Sequence, residues 1–199
     1  MDGWTREKPA LPRYDPDIEP WDGGLIVNYW SKQSANAELS ISVLAHKALS
    51  LFAISTYPRM ADLAVLSRDT LQFLAGAVRF KYFGTKELKS VPRFTSARGL
   101  PKSASTKVCP VTALKDYVER TSGPAYHTRD SQGRPFDHVF MALSPVYTAG
   151  TAVFKPAGSQ TCSRWLRNVM DWSGVDVSIW KGGSVRMAGS SKALDEGHS

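Results

Sequence analysis

The fold class predicted by this sequence is a mainly helical α+β domain with a small antiparallel β-sheet. Three observations carry that expectation. Two long stretches, LSISVLAHKALSLFAISTY and SQTCSRWLRNVMDWSGV, repeat apolar residues at helical intervals. A shorter stretch, CPVTALKDYVERT, opens on a proline suited to a first helical turn. Between them, LQFLAGAVRFKYFG is rich in the aromatic and branched residues that favour strands. A chain of 199 residues, 42% hydrophobic, can bury the core of one ordinary domain.

Residues 1–20 carry Pro9, Pro12, Pro16 and Pro20 among charges, which disfavours helix and predicts an extended N-terminal arm, leaving 21–199 as the domain. A helix can start at Asp22 in WDGGLIVNYWSKQ, with Leu25, Ile26, Tyr29 and Trp30 on one side. The Leu39–Tyr57 stretch follows as the central helix, with Leu44, Ala48, Leu51 and Phe52 on a broad apolar face. Pro58 suits the first turn of a short helix, PRMADLAVL. From Thr70 to about Thr95 two or three antiparallel strands are expected, with GTKELK as a polar turn and RGLPKSASTK beyond as a basic, flexible loop. In CPVTALKDYVERT, Val111, Leu114, Tyr117 and Val118 should face inward. Residues 122–137, with two glycines and two prolines, read as an exposed excursion before the buried HVFMAL. In the last long helix Trp165, Leu166, Val169 and Met170 face the core, Arg164 and Arg167 face out, and Gly174 ends it.

Charge narrows the partners. Twenty-five Lys and Arg against 18 Asp and Glu give a formal charge of +7, a surface that attracts polyanions and puts nucleic acid first. The two cysteines, Cys109 and Cys162, have no metal-ligand spacing and fit a reduced, intracellular protein. The N-terminus reads as no secretory signal, and the apolar run at 39–57 is broken by His46 and Lys47, so a buried helix rather than a membrane span is expected. No P-loop, dinucleotide fingerprint or nucleophile elbow occurs, the four histidines are scattered, and no cofactor or metal is implied.

Three constellations could carry chemistry. In PRMADLAVL, Arg59, Asp62, Leu63 and Leu66 stand at i, i+3, i+4 and i+7, so one helix face starts with a charged pair and continues as core. A desolvated arginine there needs a partner or an anion, although an ordinary ion pair on the rim of the core fits the same spacing. In FGTKELKS a turn projects Lys86, with Lys81 and Lys89 nearby. Such a lysine can donate a proton or contact a phosphate, or can simply guard a strand edge. In SIWKGGSVRMAGSSKALDEGHS, Gly182 and Gly183 allow close approach, Ser184 can cap a turn, and Arg186 follows; a surface arginine after a glycine-rich loop is the plainer reading.

Taken in order, these pieces resemble the catalytic domain of the tyrosine recombinases, the phage-integrase-like DNA strand transferases. TYPRMADLAVLSRDTL is similar to their first arginine box, and the lysine-bearing β-hairpin, the Cys-Pro helix, the SRWL helix and a second arginine box follow in family order. WKGGSVRMAGSSKAL is similar to the tail of the recombinases of DIRS-type retroelements, and the likeness extends over roughly residues 11–199. The resemblance implies a DNA breaking-and-rejoining fold, double-stranded DNA as partner, assembly on the DNA as an open option, no membrane, and a nuclear site of action if the source is eukaryotic. It implies that Arg59 and Arg186 bind the non-bridging oxygens of a phosphate, that Asp62 supports Arg59, and that Lys86 protonates the leaving 5′ oxygen. Lys89 and Lys181 join them as DNA contacts, with Lys89 and Lys81 as alternatives for the proton donor.

Two departures accompany the resemblance. Gly183 stands where the family has a histidine, and the sequence ends at Ser199 before the His/Trp box and the tyrosine that forms the phosphotyrosyl intermediate. The expectation is therefore a truncated recombinase domain of a mobile element that by itself forms no covalent DNA adduct. The alternatives are a non-catalytic DNA-binding or regulatory module, or a decayed element product.

Overall fold

A computed structural model describes residues 20–81, 98–103, 105–123, 137–148, 151–186 and 188. The expected N-terminal arm, save Pro20, and the part of the expected excursion at 124–136 lie outside these residues. Five α-helices are described: α1 (Gly24–Ser31), α2 (Ile41–Thr56), α3 (Met60–Ala64), α4 (Pro110–Arg120) and α5 (Ser159–Trp172). The strands β1 (Gln72–Phe73), β2 (Ala77–Phe80) and β3 (Arg98–Pro101) form one antiparallel sheet in the order β1-β2-β3, and β4 (Val146–Thr148) pairs with β5 (Thr151–Val153) in a second.

Helix α2 is the centre, packed against α4 on one hand and α5 on the other. Its start is fixed by Ser40, whose Oγ accepts from Val43 N–H, and its end by Tyr57 in the left-handed region at φ 46°. Ten consecutive residues from Leu44 to Ala53 are buried, more than one amphipathic face, because helices cover this one from several sides. Phe52 meets Phe80 of β2 edge to face at 4.9 Å, which seats the first sheet on the helical core.

Cys109 caps α4: its sulfur accepts from the N–H groups of Thr112 and Ser103 at 3.5 and 3.2 Å. Burial pushes this thiol up, but hydrogen bonds from Thr112, Ser103 and Val111 outweigh that and hold it below its ordinary value. Cys162, buried in α5, is pushed up to about 12 by burial, so it is an inert packing thiol.

The structure differs from the sequence expectation in four places. Leu25 is exposed while Ile26 and Trp30 are fully buried, because α1 begins at Gly24 and its short length presents only one narrow stripe to the core. RGLPKSASTK is not all loop, since Arg98–Pro101 pair with Phe80–Ala77 as β3; backbone ladder bonds, rather than side-chain pattern, place that strand. The turn joining the first two strands lies at Leu74–Gly76, inside the stretch whose composition predicts strand, where Leu74 N–H bonds back to Ala77 O. The second hairpin, β4-β5, is an addition to the single sheet that the sequence predicts.

His46 sits between Trp165 and Trp172, with ring centroids 5.3 and 5.1 Å away. Its Nδ1 is 2.8 Å from the Ser42 carbonyl oxygen, which can only accept, so Nδ1 carries the proton and the buried Nε2 has no partner among the described residues. Burial lowers its pKa below 6.5, partly offset by the Ser42 bond. The unfolded chain then binds more protons than the fold, so stability is full above 6.5 and falls as the pH drops through the depressed value. Urea midpoints of the wild type should fall between pH 7.5 and 5, and His46→Phe, which keeps the ring between the indoles, should remove most of that loss. An unchanged pH dependence in the variant would place the acid sensitivity elsewhere.

Candidate functional site

Arg59 stands at the N-cap of α3 in extended conformation, φ −72° and ψ 149°. A guanidinium has only donors and cannot accept the amide protons of the first turn. The cap is therefore one-sided: Asp62 Oδ2 accepts the Arg59 backbone N–H at 3.1 Å, while the Arg59 carbonyl accepts from Asp62 and Leu63. Asp62 thus fixes the main chain from which the Arg59 side chain departs. Both residues are half-buried, and Leu63 and Leu66, which continue their face, are fully buried.

Arg186 follows a 3₁₀ turn at Gly182–Ser184, and residues 185 and 186 are helical. The turn is fastened at three points. Gly182 is buried against α5, where an added Cβ would lie 2.8 Å from the Ser163 hydroxyl and closer still to its carbonyl oxygen; only glycine fits. Ser184 Oγ accepts from Trp21 Nε1 at 3.0 Å and donates to the Lys181 carbonyl at 2.7 Å. Val185 is fully buried, which leaves its neighbour Arg186 exposed. Lys181, at the head of the turn, is exposed as well. Gly183 differs from Gly182: a Cβ there would meet nothing within 4 Å, so the position where the resembled family carries histidine is open.

What unites the two arginine-bearing elements is α5. Helix α3 and the Gly182–Ser184 turn both pack against it, and Leu63, Leu66, Leu166, Val169 and Val185 share one core. Residues far apart in sequence are thereby anchored to one rigid helix, with the charged members at the rim of the core and the apolar ones inside.

Lys86 and Lys89 lie outside the described residues. Lys81 is described just after β2, half-buried, with its main chain clasped by Thr70 Oγ1, which accepts the Lys81 N–H at 3.4 Å and shares its one proton between the Ser67 carbonyl at 2.8 Å and the Lys81 carbonyl at 3.2 Å. That clasp ties the end of β2 to the 3₁₀ turn at Arg68–Thr70, a few residues beyond α3.

Two residues of this region escape a reading of the sequence. Trp21 looks like part of a helix lead-in, yet it reaches the turn that carries Arg186; an indole between a proline and an N-terminal helix start is the one available signal. Arg68 looks like the polar end of α3. Its guanidinium donates to the carbonyls of His138 at 2.8 Å, Val139 at 3.3 Å, Val118 at 3.4 Å and Thr121, and to the Thr121 hydroxyl at 2.6 Å. It joins the C-terminus of α4 to the 138–141 segment, buried from Val139 to Met141, a structural use of arginine beside the candidate site. Among the described residues no group of three His, Cys, Asp or Glu side chains could hold a metal ion, and no helix is long and apolar enough to cross a membrane.

No family model matches the chain, and no curated protein matches it in sequence. Solved structures do. A post-cleavage complex of the XerH site-specific recombinase with a palindromic difH substrate matches with a TM-score of 0.58 at 12% identity, over 90% of this chain and 43% of that one. The pre-cleavage XerH complex with difH matches at 0.58 and 10% identity, over 90% of this chain and 44% of that one. The chain spans less than half the length of these recombinases. At such identity the likeness concerns the backbone, and it agrees with the helical architecture and small antiparallel sheets described above: the fold of this chain is that of a tyrosine-recombinase catalytic domain.

Proposed function

We propose that this chain binds double-stranded DNA through the surface bearing Arg59, Lys181 and Arg186, and that the two arginines hold one backbone phosphate. The single observation behind this reading is that, within a recombinase fold, α3 and the Gly182–Ser184 turn pack against the same helix, α5. Guanidinium groups suit the task because their paired donors match two phosphate oxygens and remain charged at any working pH. Asp62 supports Arg59 through the Arg59 main chain, and Lys86, with Lys89 and Lys81 as alternatives, supplies the proton for a leaving 5′ oxygen.

The reaction class we propose is DNA strand cleavage and rejoining through a phosphotyrosine, in the integration or recombination of a DIRS-type mobile element, with the chain working inside the cell and several copies on the DNA. In such a transfer the phosphate gains negative charge at the pentacoordinate stage, and fixed cations aimed at it lower the barrier without reorganising. The open position at Gly183 withholds the proton-transferring imidazole of the resembled family, which favours a second reading alongside: a module that keeps the DNA surface without full chemistry.

Fluorescence anisotropy with a labelled duplex across a salt series tests the proposal. Log affinity should fall steeply with log salt, and the double variant Arg59→Ala/Arg186→Ala should flatten that slope by about 0.9, the share of the one phosphate charge that is no longer neutralised. Wild-type slope retained in the double variant, or no duplex binding at low salt, would sink it.

A further inference from the structure

We infer that Trp21 is a positioning residue for Arg186, acting through Ser184; this inference rests on the phosphate-holding role proposed above for Arg186. The geometry is specific. The indole N–H reaches across the fold to the Ser184 hydroxyl, residues 163 apart in sequence, at 3.0 Å. That hydroxyl is already committed as donor to the Lys181 carbonyl at 2.7 Å, and Ser184 N–H bonds the same carbonyl at 2.8 Å. The hydroxyl's one proton therefore points into the turn, and its lone pairs are what Trp21 takes up. The indole is 7% exposed, so its N–H is directed by packing rather than by solvent.

The other two fasteners of the turn act on its backbone position. Gly182 sets its distance from α5, and Val185 sinks it into the core. Both are non-directional packing contacts, whereas the Trp21 hydrogen bond between them at Ser184 is directional and resists rotation of the turn. Arg186 is two residues beyond, so a rotation there swings the start of its long side chain directly. A guanidinium that must meet two oxygens at once is sensitive to such a displacement, because bidentate geometry tolerates little misplacement.

Trp21→Phe isolates the effect. It keeps an aromatic ring in the packing and leaves no orphaned donor, since Ser184 Oγ still donates to Lys181. Duplex binding by anisotropy over a salt series is measured for the wild type, Trp21→Phe, Ser184→Ala, Ser184→Thr, Arg186→Ala and Trp21→Phe/Arg186→Ala, with thermal melts of each. Trp21→Phe and Ser184→Ala should each weaken binding several-fold at a fixed salt concentration, as Arg186→Ala does. Ser184→Thr, which keeps the hydroxyl, should bind as the wild type. Adding Trp21→Phe to Arg186→Ala should cost nothing further, since the residue it positions is gone. Fully additive effects, or wild-type binding by Trp21→Phe while Arg186→Ala is impaired, overturn the inference and leave the Arg186 role standing. Wild-type affinity in Arg186→Ala itself overturns both, and is told apart by that single variant. Where Trp21→Phe lowers the melting temperature, Ser184→Ala against Ser184→Thr decides the matter on the other side of the bond.

Discussion

Arg68→Ala should be among the most destabilising single substitutions in this chain. The guanidinium ties the last carbonyls of α4 and the Thr121 hydroxyl to the His138 and Val139 carbonyls. Removing it strands acceptors between two packed segments, and Thr121 is itself buried. Bonds to a charged donor contribute about 1.5–3 kcal/mol each, so a decrease of about 3 kcal/mol or more is expected even with some acceptors recovered by water. For a domain of this size that is a fall of about 6–12 °C in Tm. Arg68→Lys should recover little, because an ammonium cannot fork across acceptors spread over two segments. A drop of less than a degree or two for Arg68→Ala in a thermal melt would show that the network carries no net stability.

The second large effect has the opposite sign. Lys47 is fully buried at the middle of α2, its Nζ has no hydrogen-bond partner among the described residues, and its nearest aromatic face is Trp30, 5.7 Å from Nζ to the ring centroid. Burial lowers its pKa from 10.5, Lys107 lowers it further, and Asp116 pulls the other way. Asp116 gives that help only in part, since its carboxylate also accepts from Asn36 Nδ2 at 2.7 Å. Below 10.5 the unfolded lysine holds its proton more readily than the folded one, so the fold gains stability as pH rises from the depressed value toward 10.5. Lys47→Met keeps the length of the side chain and removes the charge. It should stabilise the fold by about 1–4 kcal/mol near neutral pH, the range found when buried ionic groups give way to apolar ones. The stability curve on the alkaline side should also flatten. A destabilised variant in urea titrations would mean that the ammonium has a compensating role in the native state.

These two residues also mark the limit of what can be read from the sequence. The helices α2, α4 and α5 are legible because their apolar residues recur at the helical period, and α4 and α5 also carry end signals, Pro110 and Gly174, the latter at φ 86°. The Arg59–Asp62 pair is legible by spacing, and the structure adds how it works, through the Arg59 N–H rather than through capping by arginine. Arg68 and Lys47 are not legible. An arginine after a helix and a lysine within one look the same in sequence whether they face water or carbonyl oxygens. Their setting is made by long-range partners, the 138–141 segment for Arg68 and α4 for Lys47, which periodicity does not reach. β3 escapes for a related reason: in RGLPKS the pairing is specified by main-chain groups, and Gly99 and Pro101 are poor strand formers by themselves.

The bond between Trp21 and Ser184 also orders events in time. It closes a loop of nearly the whole chain, and such closure is entropically unfavourable until the contacts in between have shortened the effective path. The α2, α4 and α5 bundle can form from more local contacts first, which folding rates generally favour. The arginine turn then acquires its final orientation only when the two far ends of the described chain meet. A chain could thus reach its full helical content and a buried core while its candidate phosphate clamp is still unaligned, so maturation of DNA binding would lag behind recovery of the helical signal in refolding.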